Sequence, residues 1–515
     1  MSQPIQTYSI TAPGFMGLNT QDSSLDLASG FALMANNCII DQYGRIGARK
    51  GWVPAHSTNA ALGSNDVKTI AELVDKAGTT YTLCAGNNKL FKLVGNTLTE
   101  LTFNGVGTAP TITASNWSTA FLDGDIYFYQ RGHTPIGFDP EASTTTYYRV
   151  DQEAGYNGIV QEANIAISAL GRIWNADTIN DKVTVQWSDI KNPHKFGSGT
   201  AGTLDTTTVW PKGGDIITAL AVHNNFLIIF GKHNILIYQG ANSPATMTLY
   251  DTITGIGCIA RDSVVNTGTD VIFLSETGVR SILRTIQEKS APLRDLSKNV
   301  RNDLIAAVAG EDKAAIKAVY NPREAFYLLT MPSMKVVYCF DMKAALQDGS
   351  ARVTMWDSIE PKCFCYRTDG SMLIGKAGYI GIYSGYLDNN ASYRFQYFTN
   401  HTDLGAPSVT SVLKKLSVVV IGGTNQAVSI KWGYDFTGNY FSQTAKIPTQ
   451  GVAYYGVSEY NTSTAIYSAG TSLRTLIAYP TGAGKIVQTG YEADIAGSAL
   501  SIQKIEIQAK NGKIV

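Results

Sequence analysis

The chain carries little charge. Only 16% of its 515 residues are charged, against about 25% in an ordinary soluble protein. Its 41 lysine and arginine residues balance its 41 aspartate and glutamate residues, so the formal net charge is zero. Domains that grip nucleic-acid phosphates usually carry a strong basic excess. The composition therefore argues against a protein that holds DNA or RNA tightly.

Long apolar runs and a leader segment are also lacking. Runs such as Phe226–Phe230 and Leu416–Ile421 are of strand length, far below the roughly 20 residues that span a bilayer. No basic region followed by an apolar core opens the sequence, so we expect no signal peptide and synthesis in a cytoplasm. The six cysteines should then be reduced thiols. We expect even the close pair Cys363 and Cys365 to be buried apolar side chains.

Motifs for catalysis and cofactor binding are incomplete. Gly255–Ala260 fits G-x-G-x-x-A, but a strand and a turn are predicted after it, where a dinucleotide site needs a helix. Gly482–Lys485 lacks the first glycine and the final Ser or Thr of a phosphate-binding loop. His223 and His233 flank one predicted hairpin, yet the six histidines form no zinc-binding pair on a helix. We therefore predict no cofactor and no metal site.

Glycine is abundant, at 49 residues, and it punctuates short segments rich in Val, Ile, Tyr, Phe and Thr. Such segments bounded by Gly, Asn and Asp are typical of strands. A unit of a turn followed by an apolar strand recurs seven times with a mean spacing of about 47 residues. The seven units are Gly86–Leu93, Asp123–Tyr129, Ala169–Trp174, His223–Phe230, Gly268–Leu274, Asn321–Leu328 and Thr368–Ile374.

This repeat predicts a β-propeller of about seven blades. An all-strand repeat of 40–50 residues is the signature of propeller blades, whereas helical repeats would show a 3.6-residue period. One blade cannot bury both of its faces, but blades packed radially around an axis can. The apolar strand of each unit, which follows the turn, fits a position between two neighbouring blades.

One helix and two flanking regions complete the predicted all-β architecture. Leu296, Val300, Leu304 and Val308 recur every four residues, which predicts a helical insertion near residues 293–309 on the outside of the propeller. We predict the propeller over residues 56–392, a β-sandwich-like domain over residues 393–515 and an N-terminal arm over residues 1–55. The sandwich follows from longer alternating strands without the blade spacing.

The N-terminal segment resembles the opening of a known family. It contains Gly14, Gly17 and Asn19, then Asn37, then the series Gly44, Arg49 and Gly51. This pattern is similar to that of tail proteins from short-tailed bacteriophages, namely the tail nozzle and the related packaged-DNA stabilisation (head-completion) proteins. Shorter stretches up to about residue 400 are also similar, among them Gly171–Trp174, Gly214–Leu220 and Phe273–Ser281.

The resemblance implies a virion structural protein that is not an enzyme. Members of the family form a ring, usually a hexamer, below the portal and adaptor proteins of the tail, and tail fibres or spikes attach around it. Duplex DNA leaves through the central channel without sequence-specific binding. The implied location is the phage tail, after assembly in the host cytoplasm. No catalytic residues carry over, and we interpret Gly17, Asn19, Asn37, Gly44, Arg49 and Gly51 as turn and packing residues.

Two other functions remain open at this point. A propeller can bind or cleave carbohydrates in receptor recognition, and Tyr366–Ser371 resembles part of the aspartate-containing turn of sialidase propellers. Glycoside hydrolysis needs two carboxylates placed across the sugar, and any two blades can supply them. An unrelated propeller scaffold is the third possibility. A plain hairpin turn is the simpler interpretation of Tyr366–Ser371, because Asp favours turns through local backbone bonds.

Overall fold

The fold is all-β, with short antiparallel sheets arranged as a propeller and two larger sheets packed beside it. The computed structural model describes residues 5–113, 116–153, 155–158, 162–282, 295–404, 408–423, 425–447 and 473–512. Six short strands precede the first complete blade. They are β1 (Gln6–Thr11), β2 (Gly17–Leu18), β3 (Phe31–Asn36), β4 (Cys38–Ile40), β5 (Ile46–Ala48) and β6 (Trp52–Pro54).

The first four blades follow in chain order, each built on four consecutive antiparallel strands. In blade two a further short strand, β11, pairs in parallel with β15 at the outer edge. Blade one comprises β7 (Val67–Val74), β8 (Thr80–Gly86), β9 (Lys89–Val94) and β10 (Thr97–Glu100). Blade two comprises β11 (Thr102–Phe103), β12 (Trp117–Leu122), β13 (Asp125–Gln130), β14 (His133–Phe138) and β15 (Thr146–Arg149). Blade three comprises β16 (Ile165–Ala169), β17 (Arg172–Ala176), β18 (Thr184–Trp187) and β19 (Gly202–Asp205). Blade four comprises β20 (Ile217–His223), β21 (Phe226–Gly231), β22 (Asn234–Gln239) and β23 (Thr248–Thr254).

Three further blades complete the ring. Blade five comprises β24 (Val265–Asn266), β25 (Val271–Ser275) and β26 (Gly278–Ser281) among the described residues. Blade six comprises β27 (Lys317–Asn321), β28 (Phe326–Met331), β29 (Val336–Asp341) and β30 (Arg352–Trp356). Blade seven comprises β31 (Phe364–Tyr366), β32 (Met372–Lys376) and β33 (Tyr379–Tyr383), with β6 as its outermost strand. The described chain thus holds seven blades, and the predicted propeller is confirmed.

The predicted repeat units coincide with one strand position in six of the seven blades. In blades two to seven each unit is the first hairpin turn and the second strand, which is buried between neighbouring blades. In blade one the unit Gly86–Leu93 is instead the second turn and the third strand. The corresponding turn of blade one lies at residues 75–79, between β7 and β8. This slip by one strand explains why the first spacing in the predicted repeat is shorter than the others.

A β-sandwich adjoins blade six. Its C-terminal strands are β34 (Tyr393–Thr399), β35 (Ser411–Gly422), β36 (Ala427–Tyr434), β37 (Tyr440–Lys446), β38 (Leu473–Ala478), β39 (Val487–Ile495) and β40 (Leu500–Asn511). One sheet contains β38, β35, β40, β5 and β4, with β1 also paired to β40. The other sheet runs from β37 through β36, β39, β34 and β3 into blade six. Val418 and Ile505 of the first sheet and Tyr397 and Tyr491 of the second belong to one buried cluster.

The predicted N-terminal arm is not a separate unit. Strands β1, β4 and β5 are part of one sandwich sheet, and β3 is part of the other. Strand β6 lies in blade seven, so the predicted boundary at residue 55 falls just after a strand that closes the propeller. These strands are three to six residues long, and β1, β3, β5 and β6 pair with strands more than 300 positions away. Local sequence patterns do not contain such pairings, which explains the error.

The predicted helical insertion lies between blades five and six. Helix α1 (Arg301–Ala309) follows one turn of 3-10 helix, and residues 293 and 294 of the prediction lie outside the described residues. The four predicted apolar residues, Leu296, Val300, Leu304 and Val308, are all buried. The backbone amide of Thr20 donates to the Asn299 carbonyl at 2.9 Å. The insertion therefore packs against the N-terminal segment at the outer edge of the propeller.

Candidate functional site

Five of the six N-terminal residues that carry the family resemblance lie near the boundary between propeller and sandwich, and Gly44 lies in the turn between the sandwich strands β4 and β5. Gly17 has a φ of +83°, and a Cβ there would lie 2.7 Å from the carbonyl oxygen of Val353 in blade six. Gly44 has a φ of +73°, and its Cβ would lie 2.6 Å from Cβ of Pro13. At Gly51, a Cβ would lie 1.9 Å from the Leu387 carbonyl oxygen. Each glycine thus permits an approach between backbones that a side chain would block.

Arg49 is the centre of a buried polar cluster at this boundary, which we call the joint. Its guanidinium, fully buried, donates to both carboxylate oxygens of Asp388 at 2.9 and 2.6 Å. It also donates to Asn37 Oδ1 at 3.1 Å and to Ser358 Oγ at 2.8 Å. Its carbon Cζ lies 4.0 Å from the centre of the Tyr393 ring. A bidentate pair of this kind has strong geometric specificity.

Asn37 links the joint to both neighbouring sheets. Its backbone amide donates to the Met355 carbonyl of blade six at 2.7 Å. Its side-chain amide donates to Asp357 Oδ1 at 2.6 Å and to the Arg394 carbonyl of the sandwich at 2.7 Å. Asn37 has a φ of +52°, a conformation that Asn tolerates better than most residues. The joint therefore ties the N-terminal hairpin, blade six and the sandwich together through one fully bonded cluster.

Asn19 lies at another point of the same boundary. It is buried, and its Oδ1 accepts from the backbone amides of Gln21 and Asp22 at 2.9 and 3.2 Å. Its Nδ2 donates to Asp22 Oδ2 at 2.9 Å. Asn19 therefore stabilises the turn at residues 19–22, which lies beside the helical insertion. Among the described residues, its hydrogen bonds do not form a catalytic arrangement.

The propeller axis is closed by a second ionic cluster, which we call the axial cluster. Asp262 accepts from Arg261 Nε at 2.7 Å and from the Lys317 ammonium group. Lys317 and Arg261 both donate to Asn116 Oδ1, at 2.6 and 2.8 Å. Arg261 also donates to the carbonyl of Trp117. These bonds connect residues of blades two, five and six across the axis.

The electrostatics of the axial cluster favour the ionised form of Asp262. Burial raises the pKa of Asp262, but Arg261 and Lys317 outweigh this effect and bring it down to about 2. Burial lowers the pKa of Lys317, and the opposing effect of Asp262 offsets this only in part, so the pKa of Lys317 stays below its usual value. A cavity of about 290 Å³ remains at the axis, lined by residues from all seven blades. That volume is at the lower limit of small-molecule pockets, so the axis of one propeller is too narrow for duplex DNA.

The other residues singled out from the sequence occupy structural positions. Cys363 is buried and Cys365 partly so, and burial raises the pKa of both thiols to about 12. Among the described residues, no three His, Cys, Asp or Glu side chains are grouped as metal ligands. His223 and His233 lie at opposite ends of the six-residue strand β21, about 20 Å apart at 3.3 Å per residue.

The three motif-like segments are turns and loops. No α-helix follows Gly255–Ala260, where one 3-10 turn leads into β24. A Cβ at Gly257 would lie 2.3 Å from the Gly231 carbonyl oxygen, which explains that glycine by packing. In the loop of Gly482–Lys485, the Lys485 amide donates to Asp435 at 2.8 Å. Tyr366–Ser371 forms the first hairpin turn of blade seven, where the Ser371 amide donates to Asp369 at 2.7 Å.

Sequence reasoning missed both ionic clusters. The partner of Arg49 is 339 positions away, and no local pattern connects the two. The axial cluster leaves a weak signal, because charged residues stand at or just before the innermost strands of several blades. Examples are Lys68, Arg261, Lys317 and Lys362. Aligning the blades by their first strand would have revealed this recurrence.

The chain has distant likenesses to several solved structures. No family model and no curated protein matches the sequence. The chain is similar to the WD40 domain of Neurospora crassa Pan2, with 10% identity and a TM-score of 0.38 over 69% of this chain and 98% of that one. It is similar to Kuenenia stuttgartiensis hydrazine synthase, with 10% identity and a TM-score of 0.39 over 64% and 97%. Likenesses this distant carry no argument about function.

A third similar structure is much longer than this chain. It is PorZ, a bacterial surface component of the type-IX secretion system of Porphyromonas gingivalis, with 11% identity and a TM-score of 0.37. The match covers 64% of this chain and only 37% of PorZ. Within the described ranges, no helix is long and apolar enough to cross a membrane.

Proposed function

We propose that this chain is a structural protein of a phage virion that forms the nozzle ring of a short tail. The observation that carries the proposal is the joint around Arg49. Asn37, Arg49 and Gly51, which carry much of the resemblance to tail nozzle proteins, meet where the sandwich is fixed to the propeller. In this proposal these residues hold the sandwich against the propeller, which is the role expected in a structural protein that has no catalytic activity.

The closed axis of the propeller determines what kind of conduit is proposed. The axial cluster and its cavity of about 290 Å³ exclude passage of duplex DNA through a single propeller. A DNA conduit must therefore lie between several copies arranged around a common axis. Cyclic assemblies of this kind need two complementary patches on each subunit. A propeller held rigidly against a sandwich presents two surfaces at a fixed angle, which suits such a ring.

The composition is compatible with DNA that moves past without being held. Each phosphate that a protein neutralises releases counterions and adds affinity. A net charge of zero keeps this contribution small. We propose a hexamer, in keeping with the resemblance, that contacts portal or adaptor proteins on one side and carries tail fibres or spikes around it.

Native mass spectrometry and negative-stain electron microscopy of the purified full chain test this function. We expect a closed ring of about six copies with an axial opening wide enough for duplex DNA. A glycan array and a glycan-hydrolysis assay on the same sample test the carbohydrate alternative. A monomer that binds or cleaves glycans would refute the ring and support that alternative.

A further inference from the structure

Three adjoining cavities surround the end of the propeller axis at which the innermost strands begin. Their volumes are about 290, 340 and 320 Å³. The first and second cavities share Lys68 and Lys317, the first and third share Arg261, and the second and third share Asn116. Because they share these lining residues, the cavities lie side by side, and we call the three together the entry funnel.

The entry funnel is basic, although the whole chain has no net charge. Seven cationic side chains and four carboxylates line it, an excess of three positive charges. The cations are Lys68, Arg131, Lys182, Arg261, Lys313, Lys317 and Lys362, and the carboxylates are Asp66, Asp177, Asp262 and Asp312. Concave surfaces lined by one sign of charge focus the field and concentrate ions of the opposite sign.

Part of this positive charge is neutralised by ion pairs with carboxylates of the protein itself. Asp262 is bound by Arg261 and Lys317, as described for the axial cluster. One carboxylate, Asp66, serves two ammonium groups, since its Oδ2 lies 3.3 Å from Lys68 Nζ and 4.0 Å from Lys362 Nζ. The first and second cavities therefore retain a modest positive excess.

The third cavity contains three cations that carboxylates neutralise only in part. Arg131 donates to Asp177 at 2.5 Å through one terminal nitrogen, while its Nε is buried with no hydrogen-bond partner in the described structure. Lys182 is exposed, and within the described ranges no carboxylate lies within ion-pair distance of its ammonium group. Lys313 donates to backbone carbonyls of Val308 and Glu311 rather than to a carboxylate. The Arg131 side chain is 36% exposed, so its guanidinium is accessible from the cavity. A guanidinium nitrogen without a partner, together with ammonium groups that no carboxylate neutralises, is an arrangement that favours anion binding.

We propose that the entry funnel binds a small anion that carries several phosphate groups. The cations are spread over three adjoining cavities, so a chain of phosphates can contact more of them than a single phosphate can. Arginine and lysine are the side chains that bind phosphate best. Cavities of about 300 Å³ admit a triphosphate chain and exclude duplex nucleic acid. This site is independent of ring formation, and a monomer would possess it too.

Isothermal titration calorimetry of the full chain with sodium tripolyphosphate at low ionic strength tests the site. We expect saturable binding of one tripolyphosphate per chain, with an affinity that falls as NaCl is added. Lys182→Gln should weaken binding about tenfold, the effect of losing one charge-assisted contact of about 1.4 kcal/mol. Lys414→Gln is the matched control, because Lys414 is an exposed lysine of the sandwich strand β35.

Further ligands define the class of anion and its source. ATP should bind with an affinity similar to that of tripolyphosphate if the phosphate chain alone is recognised, and more tightly if the site also fits a nucleoside. Citrate and hexaglutamate should bind more weakly than either, because they carry carboxylates. Absence of tripolyphosphate binding, tighter binding of hexaglutamate, or an equal loss of affinity in Lys414→Gln would overturn the proposal.

Discussion

Replacing Arg49 removes the central cation of the joint and should destabilise the whole chain. In Arg49→Met the side chain keeps much of its length, but Asp388 loses both of its bonds from the guanidinium. Asn37 and Ser358 lose a donor as well. Because the joint is buried, water cannot fully replace the missing partner of the carboxylate. The effect therefore exceeds the loss of a surface ion pair.

The expected cost follows from the burial of the pair. Breaking a buried ion pair by removing one partner costs about 3–5 kcal/mol, since the other charge is left uncompensated. The side chain of Arg49 is 0% exposed and that of Asp388 is 11% exposed. Arg394 is the control, because it is 45% exposed and its partner Glu492, although 3% exposed, keeps Lys431 at 2.7 Å and Gln396 at 2.9 Å when Arg394 is removed. Arg394→Met should cost about 1 kcal/mol or less.

Urea unfolding followed by tryptophan fluorescence measures both free-energy changes. Because blade six and the sandwich share one sheet, we expect a single transition whose midpoint falls clearly in Arg49→Met and little in Arg394→Met. Adding Asp388→Leu to Arg49→Met should restore part of the loss, since an apolar pair can replace a buried ion pair. Equal costs for Arg49→Met and Arg394→Met would refute the account of the joint.

Three further predictions concern backbone packing and pH. Gly17→Ala should lower the free energy of unfolding in urea several times more than Gly78→Ala. Both glycines have a φ of +83°, but only at Gly17 would an added Cβ lie against backbone atoms. Equal losses would exclude the close approach of Gly17 to blade six. Asp262→Asn should lose about 2 kcal/mol of stability at pH 7. Because the folded pKa of Asp262 is about 2, below its ordinary 3.8, this loss should shrink between about pH 4 and pH 2, and a constant difference would contradict it. Burial and Asp139 raise the pKa of Asp125 to about 7, so the contribution of Asp125 to stability should fall as pH rises from about 4 to 7. Asp125→Asn should therefore have a higher Tm than wild type at pH 8 and no advantage near pH 4.

The propeller was predictable from the sequence because its signal is local and repeated. Each turn and the apolar strand after it lie within about ten residues, as in His223–Phe230, and seven occurrences establish the spacing. The repeat unit of blade one was assigned to the wrong strand because this signal is only local. Residues 75–79 and residues 87–88 both contain turn-forming residues, and only the pairing of β7 with β8 shows which turn comes first in the blade.

The organisation around the propeller was less accessible. Strand β6 closes blade seven by pairing with a strand more than 300 residues later, and the two- or three-residue strands of the N-terminal segment carry almost no periodicity. The helix was recognised from its apolar positions, but its α-helical part begins at Arg301 rather than near residue 293. At the start of the insertion, the Asp295 side chain accepts a hydrogen bond from the Ser297 amide at 3.0 Å and forms a turn instead of a helix. Local side-chain bonds of this kind compete with the helix.

The most direct test of the proposed conduit is a three-dimensional reconstruction by electron cryomicroscopy of the purified chain. The account predicts a ring of copies in which each propeller is closed at its own axis by Asp262, Arg261 and Lys317, and in which the opening wide enough for duplex DNA lies between copies. A monomer, or an assembly whose copies leave no such opening between them, would contradict it.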